Sequence, residues 1–205
     1  KGVELVGIGA NLACFGGIIP DELNMAFLSD LAVKLAQAFA LHSTYISGGN
    51  SANYNWLLAA KDAGRINYLR IGESIFLGVE PLFGKQIPGL FTDAFSLAAE
   101  IIESNSKLSI PYGKVGQNAF GHIPSFEDRG RSNRVIAGVG RQDVDVSGLS
   151  PRMAIEIVGA SSDHLIMTNK KKNLKVGTIL KFDVNYAALL SAMTSPYVLK
   201  RNCIQ

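Results

Sequence analysis

Cysteine is nearly absent. Cys14 and Cys203 are the only two in 205 residues, far apart and matching no metal-ligand spacing. A reduced, cytoplasmic setting is the expectation, with Cys14 a small buried side chain in its apolar stretch. Charge is scarce as well: 18% of residues are charged against 47% apolar, with a net charge of +3. That balance supports a packed core, argues against extended disorder, and suggests that some surface is covered by a partner subunit or by further protein. No apolar run approaches the ~18 residues of a membrane span. No helix carries a basic face with interleaved aromatics, so nucleic acid is not an expected partner. The one basic run, Lys170-Lys171-Lys172, reads as a solvated turn. The first residues do not resemble a signal peptide, and the sequence opens on Lys1 rather than methionine, as though inside a fold.

What is present is an alternation. Val3 to Leu12 is short, apolar and rich in small residues, as in a buried parallel strand. Pro20-Asp21 opens a helix in which Leu23, Phe27, Leu31, Leu35 and Phe39 line one apolar face up to about His42. A second strand, Ser43 to Ser47, runs into the loop Gly48-Gly49-Asn50-Ser51. A helix from about Ala52 to Ala63 follows, stopped by Gly64, and then a third strand from Ile66 to Ile71. Strand-helix alternation implies parallel strands with right-handed crossovers, whose ligands bind at the strands' carboxyl ends.

Beyond about Thr92 the pattern changes. Phe95 to Glu103 fits a strand or a short helix. Short β-like runs follow at Gln117–Ile123, Arg134–Val139, Met153–Val158, His164–Thr168 and Thr178–Val184. Asn185 to Ser191 is ambiguous. The fold class is therefore α/β plus all-β, with a domain of residues 1–94 and a β-domain of residues 95–205.

Several clusters invite chemistry. Gly7-Ile8-Gly9 lacks the third glycine of a dinucleotide fingerprint and reads as tight packing. Ser47-Gly48-Gly49-Asn50-Ser51 suits either an anion at a helix start or a plain capped turn, and composition leaves both open. Arg70 ends its strand facing a site or paired with Glu73 or Glu80. Tyr112, between Pro and Gly, reads as a turn residue packing its ring. Gly140-Arg141-Gln142-Asp143 reads as a polar hairpin turn, and Ser161-Ser162-Asp163-His164 as a second polar turn with a half-exposed histidine. Neither has the ligand count of a metal site.

Taken in order, Ser47–Ser51, Leu69-Arg70-Ile71-Gly72-Glu73, Gly140–Asp143, Gly159–His164 and Met193-Thr194-Ser195-Pro196-Tyr197 resemble the second half of the alanine-racemase-fold family. The resemblance is to the branch that holds ornithine racemase and other amino-acid racemases. It implies the last three βα units of a TIM-type barrel followed by a C-terminal β-domain. The whole protein would be a pyridoxal 5'-phosphate-dependent isomerase interconverting L- and D-amino acids, ornithine or another small one, as a homodimer. The Schiff-base lysine would lie outside these residues, leaving the fragment inactive.

By the same resemblance Asn50, Ser51, Gly72 and Glu73 would hold the cofactor phosphate, supported by Tyr186, and Arg70 would meet the pyridine nitrogen. A cation there keeps that nitrogen unprotonated and weakens the electron sink. Arg141 stands where the family's second-face tyrosine belongs. An arginine stays protonated at ordinary pH, so Asp163 and His164 become candidates for the second proton transfer. Asp143 and Ser162 would shape the substrate pocket for a longer cationic side chain. Alternatives are an amino-acid decarboxylase of the same fold, disfavoured because neither cysteine occupies a catalytic place, and a non-catalytic cofactor-binding module, which normally lacks the β-domain. Open barrel-strand edges imply that the chain associates.

Overall fold

The computed structural model describes residues 2–40, 44–169 and 174–203. The chain divides into two compact units, Lys1–Ala94 and Phe95–Gln205. The first contains three parallel strands in the order β1 (Gly7–Gly9), β2 (Tyr45–Asn50) and β3 (Tyr68–Arg70). Ser47 pairs with both Gly9 and Tyr68, and Asn50 pairs with Arg70 across a bulge between Ser47 and Gly49. β1 and β3 are shorter than the apolar runs that announced them, whereas β2 runs past Ser47 to Asn50. Gly48, Gly49 and Asn50 belong to β2 itself rather than to a loop.

A four-residue helix, α1 (Ala13–Gly16), precedes the long α2 (Glu22–Phe39). Asp21 starts α2 by accepting the Asn24 N–H at 2.8 Å, and the Asn24 side chain accepts the Asp21 N–H at 3.0 Å. The expected end at His42 lies outside the described residues. The face that α2 buries differs from the expected one. Met25, Leu28, Ser29 and Ala32 turn inward, whereas Leu23 is 82% and Phe27 69% exposed. Met25, Leu28 and Ala32 pack with Ile46, Trp56 and Ile66 as the unit's core.

After β2 a single 3-10 turn, Ser51–Asn53, leads into α3 (Tyr54–Ala59), which ends five residues before Gly64. The helix α4 (Glu73–Leu77) follows β3 directly. Gly7 sits in β1 where a Cβ would come within 2.1 Å of the Tyr45 carbonyl oxygen, so its role is close strand packing.

The second unit is a six-stranded antiparallel sheet. Its strands are β4 (Leu97–Leu108), β5 (Arg131–Ala137), β6 (Leu149–Pro151), β7 (Glu156–Ala160), β8 (Leu165–Asn169) and β9 (Ile179–Val184), in the order β6-β9-β4-β5-β8-β7. The undecided run after Phe95 is a strand, the longest among the described residues. β4 pairs with β9 through Leu97–Glu100 and with β5 through Ile101–Leu108, with a bulge between Ile101 and Glu103. The alternation of β4 places Leu97, Ala99 and Ile101 in a core shared with Val135, Leu165, Met167, Leu180 and Phe182. The ambiguous segment after Asn185 is the helix α5 (Tyr186–Thr194), capped by Asn185 accepting the Ala188 N–H at 3.0 Å. Gln117–Ile123, expected as a β-run, forms no strand. Asn118 folds it into a loop by accepting the N–H groups of Phe120 and His122. Lys170-Lys171-Lys172 lies outside the described residues. Among the described residues, no helix is long and apolar enough to cross a membrane.

Candidate functional site

In the first unit the polar groups gather at the carboxyl ends of β2 and β3, because the strands are parallel and in register there. Ser51 is buried, and its Oγ accepts the backbone N–H groups of Gly72 and Ser74, each at 3.2 Å. A hydroxyl accepting two N–H groups still has its own proton to donate. Arg70 donates from Nη1 to the Ser47 hydroxyl and from Nη2 to the Ala10 carbonyl at 2.9 Å. It is therefore fixed across the strand tips instead of pairing with Glu73 or Glu80. Glu80 is buried and accepts the N–H groups of Leu82, Phe83 and Lys85 in its own loop. Glu73 opens α4, and burial pushes its carboxyl above the ordinary range.

Asn50 realises the capped-turn reading. Its Oδ1 accepts the Ala52 N–H at 2.8 Å, while Nδ2 donates to Asn11 Oδ1 at 3.0 Å and to Cys14 Sγ at 3.2 Å. Cys14 is thus not the buried side chain that its apolar neighbours suggested. It is exposed beside Asn50. Gly49 has φ +142°, and a Cβ there would meet Asn53 Oδ1 at 2.3 Å, so the tip requires glycine. A cavity of about 390 Å³ is lined by Val6, Gly7, Ile8, Tyr45, Tyr68 and Arg70.

In the second unit two turns interlock. The Arg141 N–H donates to the Ser161 carbonyl at 3.0 Å, and that of Gln142 to the Ser162 carbonyl at 2.9 Å. Gly140 permits this approach, since a Cβ would stand 2.4 Å from Asp163 N. Asp163 accepts hydrogen bonds from the hydroxyls of Ser162 (3.0 Å) and Ser161 (3.2 Å), with His164 Nδ1 at 3.0 Å. The Ser162 hydroxyl first, with the His164 charge and Ser161 adding to it, holds the Asp163 carboxyl below the ordinary range. Asp163 is consequently a weak base that presents a stable negative charge. His164 is held at Nδ1 by Asp163, which leaves Nε2 as its other ring nitrogen.

Asp143, expected with Ser162 to shape the substrate pocket, is 8% exposed and accepts the Gly140 N–H at 2.7 Å within its own turn. Tyr112 packs no ring, because its side chain is fully exposed. Arg141 lies with its guanidinium 4.3 Å from the Phe120 ring centroid. The contact is attractive, since the ring face is negative and the guanidinium positive. Ser195, from the motif near the C-terminus, is buried and donates to the Gln142 carbonyl at 3.4 Å. Tyr186 is the first residue of α5 and belongs to this second unit.

Sequence reasoning gave Phe120 no role and quoted Ser47 and Ser161 only as members of their motifs. Phe120 stood in an expected strand, and Ser47 carried no sign that Arg70, 23 residues on, would reach it. Ser161 was quoted in its motif, but only the folded turn shows it sharing Asp163 with Ser162. Among the described residues, no group of three His, Cys, Asp or Glu side chains is placed to hold a metal.

No model of a known protein family matches the chain. It is 41% identical over 203 residues to the ornithine racemase of Acetoanaerobium sticklandii, covering 98% of this chain and 58% of that protein. It is 39% identical over 202 residues to the lysine racemase of Thermotoga maritima, covering 98% and 57%. The chain thus spans little more than half the length of these relatives. Among solved structures, an alanine racemase of Bartonella henselae with covalently bound pyridoxal phosphate matches with a TM-score of 0.55 at 18% identity, over 96% of this chain and 52% of that one. A D-threonine aldolase of Filomicrobium marinum matches with a TM-score of 0.57 at 11% identity, over 93% and 48%. The chain is a homologue of the ornithine and lysine racemases over little more than half of their length, and its fold resembles about half of an alanine-racemase structure.

Proposed function

We propose that this homologue of the ornithine and lysine racemases is the C-terminal part of a pyridoxal-phosphate-dependent isomerase that interconverts the L and D forms of an amino acid with a cationic side chain. Its first unit would be the last three βα units of a TIM-type barrel, residues 1–94, and its second the β-domain, residues 95–205. The meeting of Ser51, Arg70 and Gly72 at the carboxyl ends of β2 and β3 carries the reading.

The residues present fit the cofactor. Ser51, fixed by two backbone N–H groups, has a hydroxyl proton for a phosphate oxygen. Asn50 and the start of α4 at Gly72 and Glu73 frame the same place. Arg70, tied to Ser47 and Ala10, would meet the ring nitrogen as a fixed cation. Pyridoxal phosphate, when bound, supplies the electron sink that makes the α-proton removable.

Proton movement falls to the second unit's cluster. His164 would hold or release the proton at Nε2, oriented through Nδ1 by Asp163. Asp163 and Ser162 would receive the substrate's cationic side chain, the carboxylate staying charged because two hydroxyls hold it so. Arg141, steadied by Phe120, would bind the substrate carboxylate rather than move a proton. The whole enzyme would work as a homodimer in the cytoplasm.

The test is loss of optical rotation from single L-amino acids, measured on a protein extended to the length of the relatives and on the 205-residue chain. The extended protein should racemise ornithine or lysine faster than alanine, and the 205 residues alone should be inactive for want of the Schiff-base lysine. Release of carbon dioxide, or of an aldehyde, without racemisation would overturn the reading.

A further inference from the structure

Asn50, expected to hold the cofactor phosphate, has no side-chain donor left for one. Its Nδ2 carries two protons, and two acceptors meet that nitrogen: Asn11 Oδ1 at 3.0 Å and Cys14 Sγ at 3.2 Å. Its Oδ1 accepts the Ala52 N–H at 2.8 Å. The main chain at the same point is held separately. The Asn50 N–H donates to Asn53 Oδ1 at 3.2 Å, and Asn53, 1% exposed, donates from Nδ2 to the Gly48 carbonyl at 2.9 Å.

Both acceptors for Asn50 come from outside β2. Asn11 and Cys14 lie 39 and 36 residues earlier, in the connection that follows β1 and in α1. Asn11 also follows Ala10, whose carbonyl accepts from Arg70 Nη2 at 2.9 Å. Two adjacent residues of one connection therefore hold polar groups at the tips of both β2 and β3.

The effect of the tie follows from the two ends of an amide. Turned over, the Asn50 carboxamide would set its NH2 against the Ala52 N–H, donor facing donor, and its oxygen against Asn11 Oδ1. Asn11 thus selects the orientation in which Asn50 closes on Ala52. Ser51 is the residue enclosed by that closure, so the direction of its Cβ is set there. Its hydroxyl accepts the Gly72 and Ser74 N–H groups at 3.2 Å each, the long end of the usual range, where a small misdirection loses them.

We propose that Asn50 is a positioning residue and not a phosphate ligand, and that Asn11 orients it, so that the pair aims the Ser51 hydroxyl at the cofactor phosphate without touching that group. The inference rests on the cofactor reading given above and adds to it the connection after β1. Asn11 is the principal acceptor there, and Cys14, with its weakly accepting sulfur, the lesser one.

Pyridoxal 5'-phosphate and pyridoxal, which lacks the phosphate, are titrated into the protein extended to the length of the relatives, with binding read from the absorbance of the bound ring. Ser51→Ala should weaken pyridoxal phosphate at least tenfold, as expected for a lost hydrogen bond to a charged group. Asn11→Ala should weaken it about three- to tenfold, as for one between neutral groups. Cys14→Ala should weaken it less. Pyridoxal should bind the wild type and all three variants alike. Asn11→Ala added to Ser51→Ala should cost nothing further, because it acts through the hydroxyl already removed. Unchanged affinity in Asn11→Ala beside a weakened Ser51→Ala, equal loss of both ligands in Asn11→Ala, or additive losses in the double variant would overturn the inference and leave the cofactor reading in place. Pyridoxal phosphate binding no tighter than pyridoxal, or indifferent to Ser51→Ala, would overturn the cofactor reading and the inference with it.

Discussion

The two units of this chain solve the burial problem differently. Among the described residues, the first relies on strands of three to six residues and a buried cluster of six side chains around Met25 and Trp56. The second centres on the twelve-residue β4, which pairs on both sides and carries a buried cluster of fifteen. A buried cluster of that size removes far more apolar surface from water, and this is the principal stabilising term. The smaller core leaves α2 with a large apolar stripe in solvent. The second unit is therefore expected to be the more stable of the two, with local opening costing least in the first.

The largest expected effect sharpens that contrast. Phe182→Ala empties a fully buried site in the second unit and should cost about 3–5 kcal/mol in denaturant unfolding. Leu28→Ala in α2 should cost nearer ~2 kcal/mol, the low end for a core leucine, because the smaller cluster around it is freer to collapse. Equal costs would break the comparison. Next comes Gly140→Ala, whose new Cβ would strike Asp163 N and Ser162 O, each 2.4 Å away. Forcing the interlocked turns apart should cost about 1–3 kcal/mol. It should also raise the Asp163 pKa as the Ser162 hydrogen bond loosens, followed by carbon-detected NMR titration. An unchanged titration would separate the turn packing from the carboxylate geometry.

A smaller effect is expected for Asp21→Ala, which removes the α2 cap. About 1 kcal/mol should be lost, and only from the first unit. Hydrogen exchange resolved by residue checks this: faster exchange in α2 with β4 and β5 unaffected supports independent units, whereas uniform acceleration contradicts it. The smallest effects are opposite pH signatures. Glu73 has a folded-state pKa raised by burial, so its ionisation opposes folding, and stability falls as pH rises through that raised value. Glu73→Gln should therefore stabilise the first unit at neutral pH and do nothing in acid. Asp163 has a lowered pKa, so its contribution is present above the ordinary carboxylate range and lost as pH falls through the lowered value. Asp163→Asn should slightly destabilise the second unit at neutral pH, with the difference vanishing in acid. Thermal melts across pH measure both.

Much of the site was legible because its residues are local. Ser47–Ser51 and Gly140–Asp143 are runs of glycine and short polar side chains, which turn the chain and cap helices whatever surrounds them. Their long-range partners were not legible. Arg70 holds Ser47 and Ala10, and Arg141 rests on Phe120, through contacts spanning 21 to 60 residues. Periodicity misled on α2, since Leu23, Phe27 and Leu31 form a stripe as regular as a buried one, yet Met25, Leu28 and Ala32 face the sheet. A helical repeat identifies an apolar face, and only packing says which face is covered.

By itself the sequence determined the succession of elements, the change from parallel α/β to antiparallel β, and the positions of the polar turns. These follow from local backbone preference and from the period of apolar residues, which act over a few residues. Only the tertiary structure decided that Asp143 turns inward while Asp163 stays out, and that Asn50 reaches Cys14. Such outcomes depend on which strands become neighbours. Strand pairing sets side-chain partners through hydrogen bonds between segments far apart in the chain, where no local rule reaches.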